Sequence, residues 1–326
     1  MDGLIAFEEH WAIEGTLGHF AEANDPDGNW RDVRQRLLDI HDMRLSEMDR
    51  HGVEMTILSL NSPAVQGILD VGEAVETAKM ANDMLAEQVA KRPDRFSGFA
   101  ALPMQDPDAA IEELTRCVRD LGFKGAMVNG FTQKDVPDSA IYYDIAEYRP
   151  FWAAVQGLDV PFYMHPRLNI PSRAHSYDSH PWLLSPAWDF GIQTADHTLR
   201  LICSGLFDEF PRLQMVLGHL GERVPFDLWR IDHLMRQVPG GIPAEKEIGD
   251  YFRSNFHLTT SGQFHEAPFR CALAELGAGR ILFSIDYPFE QFVEATSWFE
   301  GTELSDADRR KIARSNAIDL FKLDLS

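Results

Sequence analysis

No apolar run in the chain approaches the roughly 18 residues that span a bilayer, and the N-terminus lacks a basic region followed by an apolar stretch and a cleavage site. A cytoplasmic location is therefore expected. Cationic residues are scarce: 30 Lys plus Arg stand against 51 Asp plus Glu, a formal net charge of −21, and no Lys/Arg cluster interrupts it. Such a field repels phosphate backbones and anionic lipid, which argues against nucleic-acid and membrane partners. An anionic substrate would need a local cation or arginine to overcome it. Cysteine is also sparse. Cys117, Cys203 and Cys271 are odd in number, far apart and set among apolar neighbours, so they read as reduced core residues rather than a disulfide framework.

Hydrophobic residues at 44% and charged residues at 25% give the balance of a folded globular protein with a sizeable core. Eight strand-like apolar segments recur: Leu4 to His10, Met55 to Leu60, Phe96 to Pro103, Gly125 to Gly130, Pro161 to Pro166, Gln214 to His219, Asn255 to Gly262 and Ile281 to Pro288. Helical patterns lie between them, among them Trp30 to His51, Val71 to Lys91, Pro107 to Leu121, Phe151 to Gly157 and Pro225 to Arg236. Eight strand–helix units in one chain predict an α/β fold, a (β/α)₈ TIM barrel filling residues 1–326 as a single domain. Two connections are long, residues 11–29 after the first strand and 167–188 after the fifth, and both are expected to serve as a lid or a subunit contact.

The first strand ends in Glu8-Glu9-His10. Side chains alternate along a strand, so Glu8 and His10 are expected on one face and Phe7 and Glu9 on the other. A carboxylate beside an imidazole at the end of an apolar strand suits a metal ion holding both, although charged residues also end strands for no other reason. In such a barrel the C-terminal strand ends share one mouth. Strand five ends in His165, strand six in His219 and strand eight in Asp286. Taken singly, each histidine has a reading as a satisfied core residue and Asp286 as a turn cap. Coincidence at four strand ends is harder to reconcile with that reading. Among the other histidines, His41, His51, His197 and His233 fall in helical patterns, and His257 is mid-strand with a structural role.

The ordered set Glu8-x-His10, His165, His219 and Asp286 resembles the amidohydrolase superfamily, in particular its metal-dependent decarboxylase branch related to aminocarboxymuconate semialdehyde decarboxylase. Further blocks match that branch: Arg44-Leu-Ser-Glu-Met-Asp-Arg-His-Gly-Val, Gly122-Phe-Lys-Gly, His219-Leu-Gly-Glu-Arg and Phe283-Ser-Ile-Asp-Tyr-Pro. Glu8 replaces the first histidine of the superfamily's His-x-His, an exchange typical, within the branch, of enzymes acting on hydroxylated benzoates. The resemblance implies one divalent metal held by Glu8, His10, His165 and Asp286, with Mn²⁺ favoured, Zn²⁺ or Mg²⁺ as alternatives, and no organic cofactor.

It also implies decarboxylation of a small aromatic acid, 2,6-dihydroxybenzoate foremost, with 2,3-dihydroxybenzoate or salicylate as alternatives. Hydrolysis of an ester or lactone on the same scaffold is the rival activity. No lysine ends a strand where a carbamate would bridge two metals, since Lys124 lies at the start of strand four. In this scheme Asp286 delivers a proton to the ring, His219 stands across from it, and Glu222 pairs with His219. Arg230 is expected to bind the second hydroxyl or the carboxylate, the alternative being a surface ion pair. Asn129 is expected to hydrogen-bond a phenol oxygen, and Phe289, Phe292 or Phe20 to stack on the ring, though aromatics fill cores more often. The family commonly assembles as dimers that pair into tetramers, so a homo-oligomer is expected.

Overall fold

A computed structural model describes residues 3–17, 29–238 and 240–325. Among these, eight parallel strands form the barrel: Leu4–Trp11, Val53–Leu60, Phe96–Gly98, Ala126–Asn129, Phe162–His165, Met215–Leu217, Phe256–Thr259 and Ile281–Leu282. Strands one to three are hydrogen-bonded in order, as are strands four to eight. A parallel bridge between Ala100 and Ala126 joins the two arcs on one side. On the other, the His10 amide donates to the Tyr287 carbonyl (2.7 Å). The longer helices pack outside with apolar residues inward, Val71–Lys91 through Ala74, Ala78, Ala81 and Leu85 among them. Pro107–Arg119 shows the local logic: the Asp106 carboxylate accepts the Asp108 and Ala109 amides, and Pro107 occupies the first turn, where no amide is needed.

Ile5, Phe7, Met55, Ile57, Phe99, Met127, Tyr163, Val216 and Leu282 fill the barrel interior, and Ala317, Phe321 and Leu323 from the C-terminal segment pack against them. Phe7 corrects the expected alternation. Between Ala6 and Glu9 the first strand has one more residue than its neighbour, since Ala6 pairs with Thr56 but Glu9 with Leu58. The amides of Phe7 and Glu8 both donate to Ser284 Oγ, at 3.2 and 2.8 Å. This β-bulge turns two successive side chains inward, Phe7 into the apolar floor and Glu8 into the mouth above it.

Other departures have local causes. The helix expected over 30–51 is two, Asn29–Leu38 and Met43–His51, because the Asp39 carboxylate takes the Asp42 and Arg44 amides and breaks the run. His41 lies in that break. The third and eighth strands are shorter than their apolar runs. In the eighth, side chains replace the ladder: Ser284 N–H donates to Thr260 Oγ1 and Ile285 N–H to Glu9 Oε1. A hairpin, Thr132–Lys134 with Val136–Ile141, follows strand four without having been expected. The connection over 167–188 holds a short helix, Pro171–Ala174, and two 3₁₀ turns.

Candidate metal centre

Glu8, His10, His165 and Asp286 each bring one ligand atom to a common point, all within 4.8 Å of one another. Glu8 Oε1 lies 3.2 Å from His165 Nε2, and His10 Nε2 lies 3.2 Å from Asp286 Oδ1. Glu8 Oε1, His10 Nε2 and Asp286 Oδ1 are buried and make no hydrogen bond. Buried polar atoms that converge without hydrogen-bond partners are costly unless a cation satisfies them.

Ionisation favours the same conclusion. Burial works against the charge on Glu8, but His219, His165 and His10 outweigh it and hold the carboxyl well below the usual range. Burial pushes His10 down, toward the neutral form a ligand requires. Two imidazoles with two carboxylates fit a divalent cation of intermediate to hard character.

The other Glu8 oxygen is fully occupied. Tyr163 Oη and Ser261 Oγ donate to Glu8 Oε2, and Thr259 Oγ1 lies 3.2 Å from it. These hydroxyls leave only Oε1 to face the ligand cluster. Ser59 Oγ lies 3.3 Å from His10 Nδ1 and orients that ring. None of these partners was among the expected site residues. Their signal was nonetheless in the sequence: Tyr163 precedes His165 by two, and Thr259 precedes Ser261 by two, the spacing that puts both on one strand face.

His219 and Glu222 meet on an unusual backbone. Residues 219–223 all have positive φ, from 51° to 85°, and four of the five are not glycine. This left-handed turn, rather than the start of the following helix, brings His219 Nδ1 to 2.6 Å from Glu222 Oε1. It also leaves His219 Nε2 3.3 Å from Asp286 Oδ2 and 3.6 Å from Glu8 Oε1. Burial opposes a charge on His219, but Glu222, Glu8 and Asp286 prevail and hold the imidazolium well above the usual histidine range. Asp286 itself sits at φ +83°, another strained position at the mouth.

The remaining expected groups divide. Asn129 pairs in register with His165 at the next strand end, and its buried Oδ1 has no hydrogen-bond partner. Phe289 packs edge-on against His10, ring centroids 5.6 Å apart. Phe292 is a core residue, 1% exposed against Tyr287 and His51, which corrects its expected place on the substrate ring. Arg230 is exposed on the helix Val224–Met235, and among the described residues no hydrogen bond or ion pair ties it to the cluster. Phe20 lies outside the described residues. A separate cavity of about 580 Å³, lined by Tyr142, Arg173, Asp196 and Arg200, shares no residue with the cluster.

A parallel (β/α)₈ barrel with histidine and carboxylate ligands at the ends of strands one, five and eight defines a metal-dependent enzyme. The chain belongs to the amidohydrolase family, whose sequence profile matches residues 16–323, beginning just after Glu8 and His10. It is 56% identical over 326 residues to the gamma-resorcylate decarboxylase of Rhizobium sp., covering 99% of each chain. Among solved structures it is similar to a 2,6-dihydroxybenzoate decarboxylase complexed with 2,6-dihydroxybenzoate, with TM-score 0.96 and 55% identity over 99% of this chain and 100% of that one. A dihydroxybenzoic acid decarboxylase from Polaromonas sp., with bound manganese and the inhibitor 2-nitroresorcinol, gives 0.95 and 55% over 100% of this chain and 98% of that one.

Proposed function

We propose that this protein decarboxylates 2,6-dihydroxybenzoate to resorcinol and CO₂, using Mn²⁺ held by Glu8, His10, His165 and Asp286. The observation that carries this reading is the convergence of four ligand atoms at one barrel mouth, in a chain similar over its whole length to 2,6-dihydroxybenzoate decarboxylases. A divalent cation bound there supplies the positive charge that draws an anionic 2-hydroxybenzoate into a strongly acidic protein.

The protein's own groups supply the proton. Asp286 lies beside the ligand cluster with 13% of its side chain exposed, so it can meet a bound ring. It protonates the ring carbon that bears the carboxylate. The C–C bond then breaks, its electron pair restores the aromatic ring, and CO₂ leaves. His219, paired through Nδ1 with Glu222, stands 3.3 Å from Asp286 Oδ2 and returns the proton. Asn129 and Phe289 flank the place of the substrate, one toward a phenol oxygen and the other beside the ring.

Chelation should abolish turnover and Mn²⁺ should restore it, followed by the ultraviolet loss of 2,6-dihydroxybenzoate, 2,3-dihydroxybenzoate and salicylate. The first is expected to react fastest. If none reacts while a lactone is hydrolysed, the decarboxylase reading fails.

A homo-oligomer, dimer or tetramer, is part of this proposal. Trp182, Phe226 and Trp229 are exposed at 65%, 81% and 73%, and Arg223 stacks on Trp188 at 4.0 Å, tying the loop 167–188 to the helix Val224–Met235. An exposed aromatic surface of this kind marks a protein contact. Light scattering should give a multiple of 36.9 kDa; the monomer mass would refute it. Among the described residues no helix is long and apolar enough to cross a membrane. A cytoplasmic location remains part of the proposal.

A further inference from the structure

Glu9 and Arg44 belong to no step described so far, yet both are fully buried, with 0% of either residue exposed. Burial pushes the Glu9 carboxyl up to about 8 against the attraction of Arg44, and buried polar groups of this kind are costly unless they are hydrogen-bonded. Glu9 lies between the two metal-facing residues of the first strand and points the other way, outside the barrel. Its Oε1 accepts the Ile285 amide at 3.1 Å and lies 3.5 Å from Ser284 Oγ. Arg44, from the helix Met43–His51, donates through Nη2 to the His10 carbonyl, and its guanidinium centre stands 4.7 Å from the centre of the Tyr287 ring. The Tyr287 carbonyl in turn accepts the His10 amide at 2.7 Å.

These contacts bracket Asp286. The residue before it is tied to Glu9, and the residue after it to His10 and Arg44. Asp286 has φ +83°, a left-handed conformation that costs free energy in a residue other than glycine, and the fixed flanks hold it there. The same contacts pin the backbone of His10, whose Nε2 faces Asp286 Oδ1 at 3.2 Å. Arg44 is near enough to attract Glu9, but among the described residues the two form no ion pair within 4 Å. Glu9 instead holds the backbone beside Asp286, and Arg44 the backbone of His10.

We infer that Glu9 and Arg44 are positioning residues, a strut behind the seam between the first and eighth strands that sets where His10 and Asp286 meet. The inference rests on the proposed metal-dependent decarboxylation. The Arg44-Leu-Ser-Glu-Met-Asp block of the sequence thereby gains a role at the site although it contributes no ligand.

The test compares Glu9→Met, Arg44→Lys and the double variant Glu9→Met/Arg44→Met with the unaltered protein. Mn²⁺ affinity and the electron paramagnetic resonance spectrum of bound Mn²⁺ are measured alongside kcat and KM for 2,6-dihydroxybenzoate. The single variants are expected to bind Mn²⁺ roughly 10–100-fold more weakly, as loss of groups that orient metal ligands does elsewhere. The Mn²⁺ spectrum should change, and kcat should fall with KM little altered, because neither residue touches substrate.

The double variant removes both ionisable groups. If an unbalanced buried charge were the whole cause, it would regain the Mn²⁺ affinity of the unaltered protein; a strut predicts that it does not. Recovery in the double variant overturns the inference. So do single variants within about twofold of the unaltered protein in affinity and kcat, a change too small for a lost orienting group. Should Glu9→Met not fold, Arg44→Lys, which keeps the charge but not the fork, carries the test. An unaltered protein that binds Mn²⁺ tightly but decarboxylates no hydroxybenzoate refutes the proposed function and leaves the metal-affinity arm intact.

Discussion

Asp286→Asn should fold as the unaltered protein does and lose turnover by roughly 10²- to 10⁴-fold, the usual contribution of a positioned general acid. Asparagine has the same shape and keeps an oxygen toward His10, so the packing around it survives. It carries no acidic proton to deliver to the ring, and it cannot be recharged by His219 across the 3.3 Å gap. Because Asp286 also faces the metal point, the variant will bind Mn²⁺ less well, and the two effects must be separated. Turnover measured at saturating Mn²⁺ does this. A loss that persists there belongs to proton transfer, whereas a loss that excess Mn²⁺ repairs belongs to ligation. Near-normal rates at saturating Mn²⁺ would overturn the proton-donor role.

Gly218→Ala should be nearly as damaging, although it removes nothing. A Cβ on Gly218 would stand 2.6 and 2.8 Å from the two Glu8 carboxylate oxygens, closer than real methyl contacts come. A mobile side-chain end would swing aside. Glu8 is fully buried and bound by Tyr163, Thr259 and Ser261, so it has nowhere to go without breaking a hydroxyl contact or leaving the ligand point. Overpacking of this sort costs about 1–3 kcal/mol of stability. A displaced ligand should weaken Mn²⁺ binding by about tenfold or more. Calorimetric unfolding and Mn²⁺ titration together test it, and Mn²⁺ affinity equal to that of the unaltered protein would refute the steric argument.

The strand ends were legible because chemistry-bearing residues closed apolar runs, and the barrel rule carried Glu8, His10, His165, His219 and Asp286 to one mouth across 279 positions of sequence. Period two rightly put Glu8 and His10 on one face. It failed at Phe7, because the bulge is made by the hydroxyl of Ser284, far along the chain, and no local pattern announces it. The break at Asp39 was missed because apolar spacing runs through it while a side chain captures the amides. Phe292 was chosen for closeness in sequence to the site, and distance along the chain does not say which way a helix residue faces. The hydroxyls around Glu8 were readable from two-residue spacing, but serine and threonine in a strand are too common to single out before a partner is known.

The bulge at Phe7 and Glu8 has a consequence for traffic. By turning consecutive residues inward it sets a carboxylate directly on an oily floor, where Phe7 stacks on Phe321 with ring centroids 4.7 Å apart. The C-terminal segment seals the barrel from below. Among the described residues this floor closes the lower end, so substrate enters and both products leave on the side of the ligand cluster.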